Sequence, residues 1–389
     1  MTPQKQDFPI LIIGAGIGGL AAALALQKAG FAVQIFERTK EIREVGAGLT
    51  LWPNAVRVLQ ELGLADLVHQ LIQQPVPVRA GFYTMRGKQL VQLPPQVVEE
   101  QCGGPTIAIH RAKFQAALQE RLAPDTLVLD RQLIDLEQDT AGVTARFAQG
   151  ERVRGILLIG ADGLHSQVRQ MLFPQSHPRY AGYTAWRGIA TSVTPPLVGE
   201  FWGRGKRFGI VPLTEKHVYW YATCNTPENA AESPERRQKE LLELFKGWHP
   251  VVSTLINATE ASTILRNDIS ELRPLTCWSK GRVTLLGDAA HAMTPNMGQG
   301  ACQALEDALI LARTLQHASS LENALDVYQQ KRLARANMVV MMSHRMGSVA
   351  QWEHPLACWL RDSLLALTPP KMLLKQFKPV ASYTWESSY

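Results

Sequence analysis

The chain lacks several features that would have decided its class at once. It has no block of five or six like charges: 40 Lys and Arg against 34 Asp and Glu leave a net charge of +6 spread along 389 residues. The electrostatic footprint of a nucleic-acid binder is missing, so no nucleic-acid partner is expected. Cysteine is scarce and scattered. Cys102, Cys224, Cys277, Cys302 and Cys358 form no CxxC and no Cys/His cluster, which leaves neither a disulfide frame nor a metal site to expect. The opening "MTPQKQDFPILIIGAG" has neither the basic stretch nor the small-residue cleavage site of a secretory leader. The apolar run that follows is broken by glycines and ends near Leu26, too short for a transmembrane segment. A cytoplasmic setting is the expectation. What the chain does have is apolar residues, 46% of the total, enough for a large core and for two domains or one elaborated one.

One pattern recurs in widely separated places. "PILIIGAG" (9–16), "GILLIGADG" (155–163) and "RVTLLGDAA" (282–290) are short aliphatic runs, each stopped by glycine. Runs of this kind read as strands buried on both faces, which implies an α/β fold with a mostly parallel sheet covered by helices. Ligands of such sheets bind beyond the carboxyl ends of the strands, so three ends scattered over the chain can converge on one ligand.

The first run continues as strand, Gly14-x-Gly16-x-x-Gly19, an Ala/Leu-rich helix closed by Gly30, the strand "FAVQIFER", and an acid at Glu37. The glycines give a tight turn, let backbone approach a pyrophosphate, and allow close helix packing; the helix N-terminus faces the phosphates. Glu37, 23 residues beyond Gly14, suits both ribose hydroxyls and disfavours a 2′-phosphate, which leaves NAD or FAD. Gly46 and Gly48 form a second turn before a helix opened by Pro53, and a simple dehydrogenase has no evident use for it.

The middle of the chain alternates in character. "AGFYTM" reads as a strand, and "IHRAKFQAALQERL" (109–122) as a helix with Arg111 at its start. "TLVLDRQLIDLEQDTAGVTARFAQGERVRG" reads as a meander with turns at "DTAG" and "AQGE". From Tyr180 to about Ser270, "YAGYTAWRGIAT", "GEFWGRGKRFGIVPL" and "KHVYWYATC" read as antiparallel strands of a separate sheet, with Tyr219 and Tyr221 on one face and Trp220 on the other. Beyond about Leu321 the chain reads as helical, and "HPLACWLRDSLLALTPPKMLLKQF" is either docked on the body or lies on a membrane surface.

Taken together, "IIGAGIGGLAAALAL…E", "GADGLHSQVR" and "LLGDAAHAMTPNMGQGACQALEDA" resemble the three fingerprints of single-component FAD-dependent aromatic hydroxylases. This group of flavoprotein monooxygenases includes salicylate- and hydroxybenzoate-hydroxylase-like, urate-hydroxylase-like and zeaxanthin-epoxidase-like enzymes. The resemblance covers most of the chain. It implies a Rossmann-like FAD-binding domain made of 1–75, 100–178 and 280–320, an inserted substrate-binding β-sheet domain of 76–99 and 179–279, and C-terminal helices over 321–389. It implies that Gly14, Gly16, Gly19 and Glu37 hold the adenosine half of FAD, and that Gly48 and Arg111 contact the cofactor. Asp162 and Gly163 are linked to both FAD and the nicotinamide cofactor. Asp288 would bind the ribityl chain, and Pro295, Gly298, Gly300 and Ala301 would line the flavin ring.

The implied activity is hydroxylation or epoxidation of an aromatic or polyene small molecule, with NADH or NADPH reducing the flavin and O2 forming a flavin hydroperoxide. Arg187, Arg207 and Tyr219 are the substrate-side candidates. Arg207 and Tyr219 are spaced as are the paired Arg and Tyr of urate hydroxylases, but "AWRG" departs from that pattern. His291 is either an acid–base group or a residue that satisfies local backbone bonds. A reductase or halogenase of the same fold and a non-catalytic flavin binder remain as alternatives, although no WxWxIP-like stretch is present and the flavin loop is intact. Monomer and homodimer stay equally open.

Overall fold

A computed structural model describes residues 8–42, 48–72 and 80–383. The three aliphatic runs are neighbours in a single six-stranded sheet. Its order is Ser279–Lys280, Val283–Leu285, Leu157–Gly160, Ile10–Ile13, Val33–Phe36, Leu127–Val128. All pairs are parallel except the short first one. Every residue of Ile10–Ile13, Leu157–Gly160 and Val283–Leu285 is buried, which is why these segments lack the alternation of a half-exposed strand. The helices Ile17–Lys28 and Gly300–His317 cross closely on this sheet: a Cβ on Gly18 would lie 3.2 Å from that of Ala304. The meander Leu133–Gln138, Val143–Phe147, Arg152–Gly155 is antiparallel and packs inward through Phe147, 4.6 Å from the Phe36 ring.

A seven-stranded sheet forms the second layer system. Its order is Leu265–Glu271, Arg179–Thr191, His217–Asn225, Lys206–Pro212, Val198–Trp202, Ala80–Thr84, Gln89–Leu93. One pair departs from the antiparallel expectation, since Val198–Trp202 runs parallel to Ala80–Thr84. One face of this sheet carries Phe208 and Trp220, stacked at 5.4 Å. It is covered by the helices Arg237–Leu244 and Pro250–Asn257, whose Leu241, Val252, Leu255 and Ile256 join the same core.

The segment expected to be helical from Ile109 starts later. Ile107–His110 pairs with Gly48–Leu51 as a strand, and the helix spans Arg111–Gln119. Proline does open the helix Pro53–Glu61. The chain ends in the helices Leu321–Ala350, Pro355–Leu367, Pro370–Lys375 and Lys378–Ala381. No helix among the described residues is long and apolar enough to cross a membrane. Gly46, read as part of a turn, lies outside the described residues.

Candidate cofactor and substrate site

The turn after the first strand is set by contact between backbones. Gly14 takes a φ of 104°, and a Cβ there would fall 2.5 Å from the Ala161 carbonyl oxygen. The turns that follow two adjacent strands therefore touch, which only glycine permits. Gly19 lets the helix Ile17–Lys28 settle onto that turn, since its Cβ would lie 2.0 Å from the Gly14 oxygen. Gly16 differs from both. It is the N-cap residue with an ordinary φ of −68°, and a Cβ there would meet nothing within 4 Å. Nothing among the described residues asks for glycine at this position. The first helical bond runs from Leu20 N to Gly16 O, so the N–H groups of Ile17, Gly18 and Gly19 have no intrahelical acceptor.

Glu37 closes the turn from the side. Its Oε2 accepts from Ala15 N at 2.9 Å, and its Oε1 accepts from Thr39 N at 3.0 Å and Thr39 Oγ1 at 3.1 Å. Gln115, on the helix that Arg111 opens, donates to Ala15 O at 2.8 Å. Arg111 itself is exposed. In the second turn, Asp162 Oδ2 accepts from Gln167 N at 2.7 Å, while its Oδ1 is buried with no hydrogen-bond partner among the described residues. Burial pushes this carboxyl above the ordinary carboxylate range. A Cβ on Gly163 would meet nothing within 4 Å. Fully buried Arg169 bridges this turn to the third, donating to Leu164 O at 2.6 Å and Ala289 O at 3.1 Å.

The third loop leaves another stretch of bare backbone. Asp288 is exposed at the start of the helix Asp288–His291, and Pro295–Met297 form a single 3₁₀ turn ahead of Gly298. A Cβ on Gly300 would have only Asp288 Oδ1 nearby, at 3.8 Å; one on Gly298 would sit 3.4 Å from Trp52 Nε1. The helix Gly300–His317 makes its first bond from Gln303 N to Gln299 O, so the N–H groups of Gly300, Ala301 and Cys302 lack intrahelical acceptors. Positive helix-end charge and donors without intrahelical acceptors thus stand beside the Asp288 carboxylate.

Beneath this loop lies a charged cluster that is buried apart from the edge of Arg335. Glu306 and Asp307 are both fully buried on the helix Gly300–His317. Arg332 donates from Nε to Asp307 at 2.7 Å and also bonds Glu306; Arg335 donates to both Glu306 oxygens at 2.7 Å. Asn54 Nδ2 joins Glu306, at 2.7 Å, to Gln299 Oε1, at 3.0 Å. Asp307 Oδ2 accepts from Gly287 N at 3.0 Å and pairs with His291 Nε2 at 2.6 Å. Burial raises the Asp307 carboxyl, but His291 and Arg332 overcome this and hold it at about 2. His291 therefore meets a buried carboxylate through Nε2, where the sequence had left an acid–base role and local backbone bonds as the alternatives, and the cluster fixes both ends of the third loop.

The seven-stranded sheet turns its other face toward this loop. Arg187, Tyr219, Tyr221, Arg207 and Glu200 share that face by strand register. Arg207 is 3% exposed and its guanidinium is occupied: it donates to Glu200 at 2.9 Å, Gln351 at 2.8 Å and Asn296 Oδ1 at 2.7 Å. Asn296 belongs to the third loop and also donates to Tyr183 Oη, at 3.2 Å. Arg207 and Tyr219 do not meet. Four residues separate them along the paired strands, roughly 13 Å. Tyr219 lies instead against Gly48, where a Cβ would come within 2.3 Å of its ring, and beside Arg187. Burial raises the phenols of Tyr219 and Tyr221. Arg187 Nη1 also donates to Asn267 at 2.8 Å.

Glu200, Tyr183, Gln351 and the Asn54–Glu306–Arg332 cluster went unnoticed in the sequence. Asn296 was visible within "TPNMGQG", but nothing there signalled that it would reach across to Arg207.

The bare backbone at Gly16 and at Gly298–Ala301 follows two strands that flank Leu157–Gly160, and the Asp162 oxygen without a described partner lies after the strand between them, an arrangement that fits a long dinucleotide lying across the sheet. The chain belongs to the FAD binding domain family, whose model matches residues 7–343. It is 42% identical over 368 residues to the aurachin C monooxygenase/isomerase of Stigmatella aurantiaca, covering 94% of this chain and 95% of that one. It is 35% identical to the 2-heptyl-3-hydroxy-4(1H)-quinolone synthase of Pseudomonas aeruginosa over 92% and 94% of the two chains. Among solved structures, Klebsiella pneumoniae HpxO complexed with FAD and uric acid superposes with a TM-score of 0.91 at 29% identity, covering 98% of this chain and 99% of that one.

Proposed function

We propose that the protein is an FAD-dependent monooxygenase that uses NADH or NADPH and O2 to hydroxylate or epoxidise an electron-rich small molecule in the cytoplasm. The observation that carries the reading is Gly16: a glycine that no neighbour among the described residues requires, at the open end of a helix, in a chain of this family. Gly14, Gly16 and Gly19 would admit the pyrophosphate, Glu37 the adenosine ribose, and Asp288 the ribityl hydroxyls. Gly48, Arg111, Asp162 and Gly163 would border the cofactor, and Pro295 with Gly298, Gly300 and Ala301 would border the flavin ring. Bound FAD supplies electron transfer from NAD(P)H and activation of O2. The chain's own share is to place donors of the helix Gly300–His317 where negative charge collects on the reduced ring, and to hold substrate away from water.

The substrate-facing surface favours an aromatic ring. Tyr219 and Tyr221 present flat apolar area, and the Arg207 charge is already met by Glu200. Arg187 and Tyr219 would orient the ring, while Arg207 acts as a positioning residue through Asn296. The relative named as a heptyl-hydroxyquinolone synthase suggests a bicyclic heteroaromatic with an alkyl chain. Rates of substrate-stimulated NAD(P)H oxidation across 2-alkyl-4-quinolones, urate and salicylate test this. A quinolone should give the highest kcat/KM; stimulation by urate or salicylate alone would remove the substrate reading while leaving the flavin reading intact.

A further inference from the structure

We propose that the outer face of the helix Pro355–Leu367, continued by Met372, is a docking surface for an anionic lipid bilayer. The inference goes beyond the proposed reaction and does not depend on it. Leu356, Trp359, Leu360, Leu364 and Leu367 recur at spacings of three and four and so form one stripe. All are exposed, Trp359 at 67% and Leu367 at 81%. The buried stripe opposite consists of Cys358, Arg361 and Leu365. A surface helix ordinarily turns its apolar stripe inward; this one turns a guanidinium inward and leaves four leucines and a tryptophan outside. Single exposed leucines need no explanation, but a continuous stripe of this kind marks a site of contact.

The orientation is fixed from within. Arg361 donates to Ala350 O at 2.9 Å, to Gly203 O at 3.3 Å and to Asp362 at 2.9 Å, and its guanidinium lies 4.8 Å from the Trp202 ring centroid. Rolling the helix to bury its leucines would break the contacts to Ala350, Gly203 and Trp202 and strand a charge. The face is therefore held outward.

Charge selects the occupant. Between His354 and Tyr383 the only acidic residue is Asp362, already bonded to Arg361, whereas Lys371, Lys375 and Lys378 are all exposed. Lys371 approaches Glu100 at 3.4 Å, but both side chains stay more than half exposed, so its ammonium remains available to other anions. A second copy of this acid-poor segment would offer the lysines little complementary charge. Phosphate headgroups would complement it, with the lysine stems lying along the apolar surface and the tryptophan at the headgroup level. At thirteen residues the helix is too short to span, so it would lie in the plane of the interface. Through Leu365 it packs on Val91 and Trp202, which places the substrate-facing sheet next to the bilayer.

Flotation of the full-length, FAD-loaded protein with vesicles tests this. One set is phosphatidylcholine alone; the other contains about one third phosphatidylglycerol. The protein should float with the anionic vesicles and not with the neutral ones. The triple variant Trp359→Ser, Leu364→Ser, Leu367→Ser keeps every lysine and should bind about tenfold more weakly while retaining its flavin and circular dichroism spectrum. If the triple variant loses its flavin, the single change Leu367→Gln at the most exposed position should still weaken binding about threefold. Wild type that floats with neither vesicle would overturn the proposal. So would variants that float as well as wild type, because a general basic surface would then be responsible. A wild-type dimer that the triple variant splits, with no flotation of either, would assign the face to a second copy instead.

Discussion

Gly16→Ala separates a glycine kept for the fold from one kept for a ligand. Its φ of −68° suits alanine, and the added methyl would have no heavy atom of the described residues within 4 Å. The apoprotein should therefore be unaffected or gain about 0.4–1 kcal/mol from the lost freedom of the unfolded chain. A pyrophosphate at the helix end would instead meet the methyl at the point of closest backbone approach. Moving an anion by even a fraction of an ångström from charge-assisted N–H donors, which contribute roughly 1.5–3 kcal/mol each, predicts FAD binding weaker by about ten- to a hundredfold. Gly19→Ala is the contrast: a methyl 2.0 Å from the Gly14 oxygen must displace backbone, so apoprotein stability should fall with cofactor affinity. The assay is urea unfolding of flavin-free protein together with FAD titration by fluorescence quenching. If Gly16→Ala bound FAD as tightly as wild type, the cofactor would not pass this turn and the reasoning would fail.

Asp288→Ala should lower FAD retention on gel filtration by at least about tenfold, without moving the unfolding midpoint of the apoprotein, because the exposed carboxylate supports no core contact; unchanged flavin content would remove its assignment. Glu306→Ala leaves Arg332 and Arg335 without their shared buried carboxylate and should cost about 3–5 kcal/mol in urea unfolding. Arg131→Ala at the exposed pair with Glu151 should cost less than about 1 kcal/mol, and equal losses would refute the distinction. Asp307 titrates at about 2 in the folded protein, below its ordinary 3.8. The stability it contributes is thus present above about pH 4 and is lost as the pH falls from 4 toward 2. Asp307→Asn should flatten that part of the acid-unfolding profile, and an unaltered profile would show that the pair with His291 and Arg332 is not ionic.

What could be read in advance and what could not divides along physical lines. The three parallel strands were legible because burial on both faces forces continuous aliphatic runs, and because each stops at a glycine in close contact, Gly14 with the Ala161 backbone, Gly160 with the Val168 side chain and Gly287 with the Ala304 side chain. The meander turns were legible through their local chemistry, with Asp139 Oδ1 accepting from Ala141 N and Gly142 N at 2.8 Å. Strand partners were not, since nothing within Val198–Trp202 announces a parallel neighbour more than a hundred residues earlier. Ile109 and His110 were assigned to a helix because the helical period begins directly after them, whereas their pairing with Gly48 and Leu49 is long-range. The buried cluster was hidden for a similar reason: Asn54, Glu306 and Arg332 look like solvated helix residues until the fold assembles them. For the helix Pro355–Leu367 the period was visible, but which stripe faced inward depended on what Arg361 could reach.

The central claim is that this chain binds FAD and uses it to insert oxygen from O2. Purified protein should be yellow, with the two visible absorption bands of an oxidised flavin. With NAD(P)H, a quinolone-type substrate and ¹⁸O2, the product should gain one labelled oxygen atom per substrate hydroxylated. A colourless protein that takes up no added FAD would contradict the account at its root; bound flavin that oxidises NAD(P)H yet yields no labelled product from any substrate tested would contradict the monooxygenase assignment.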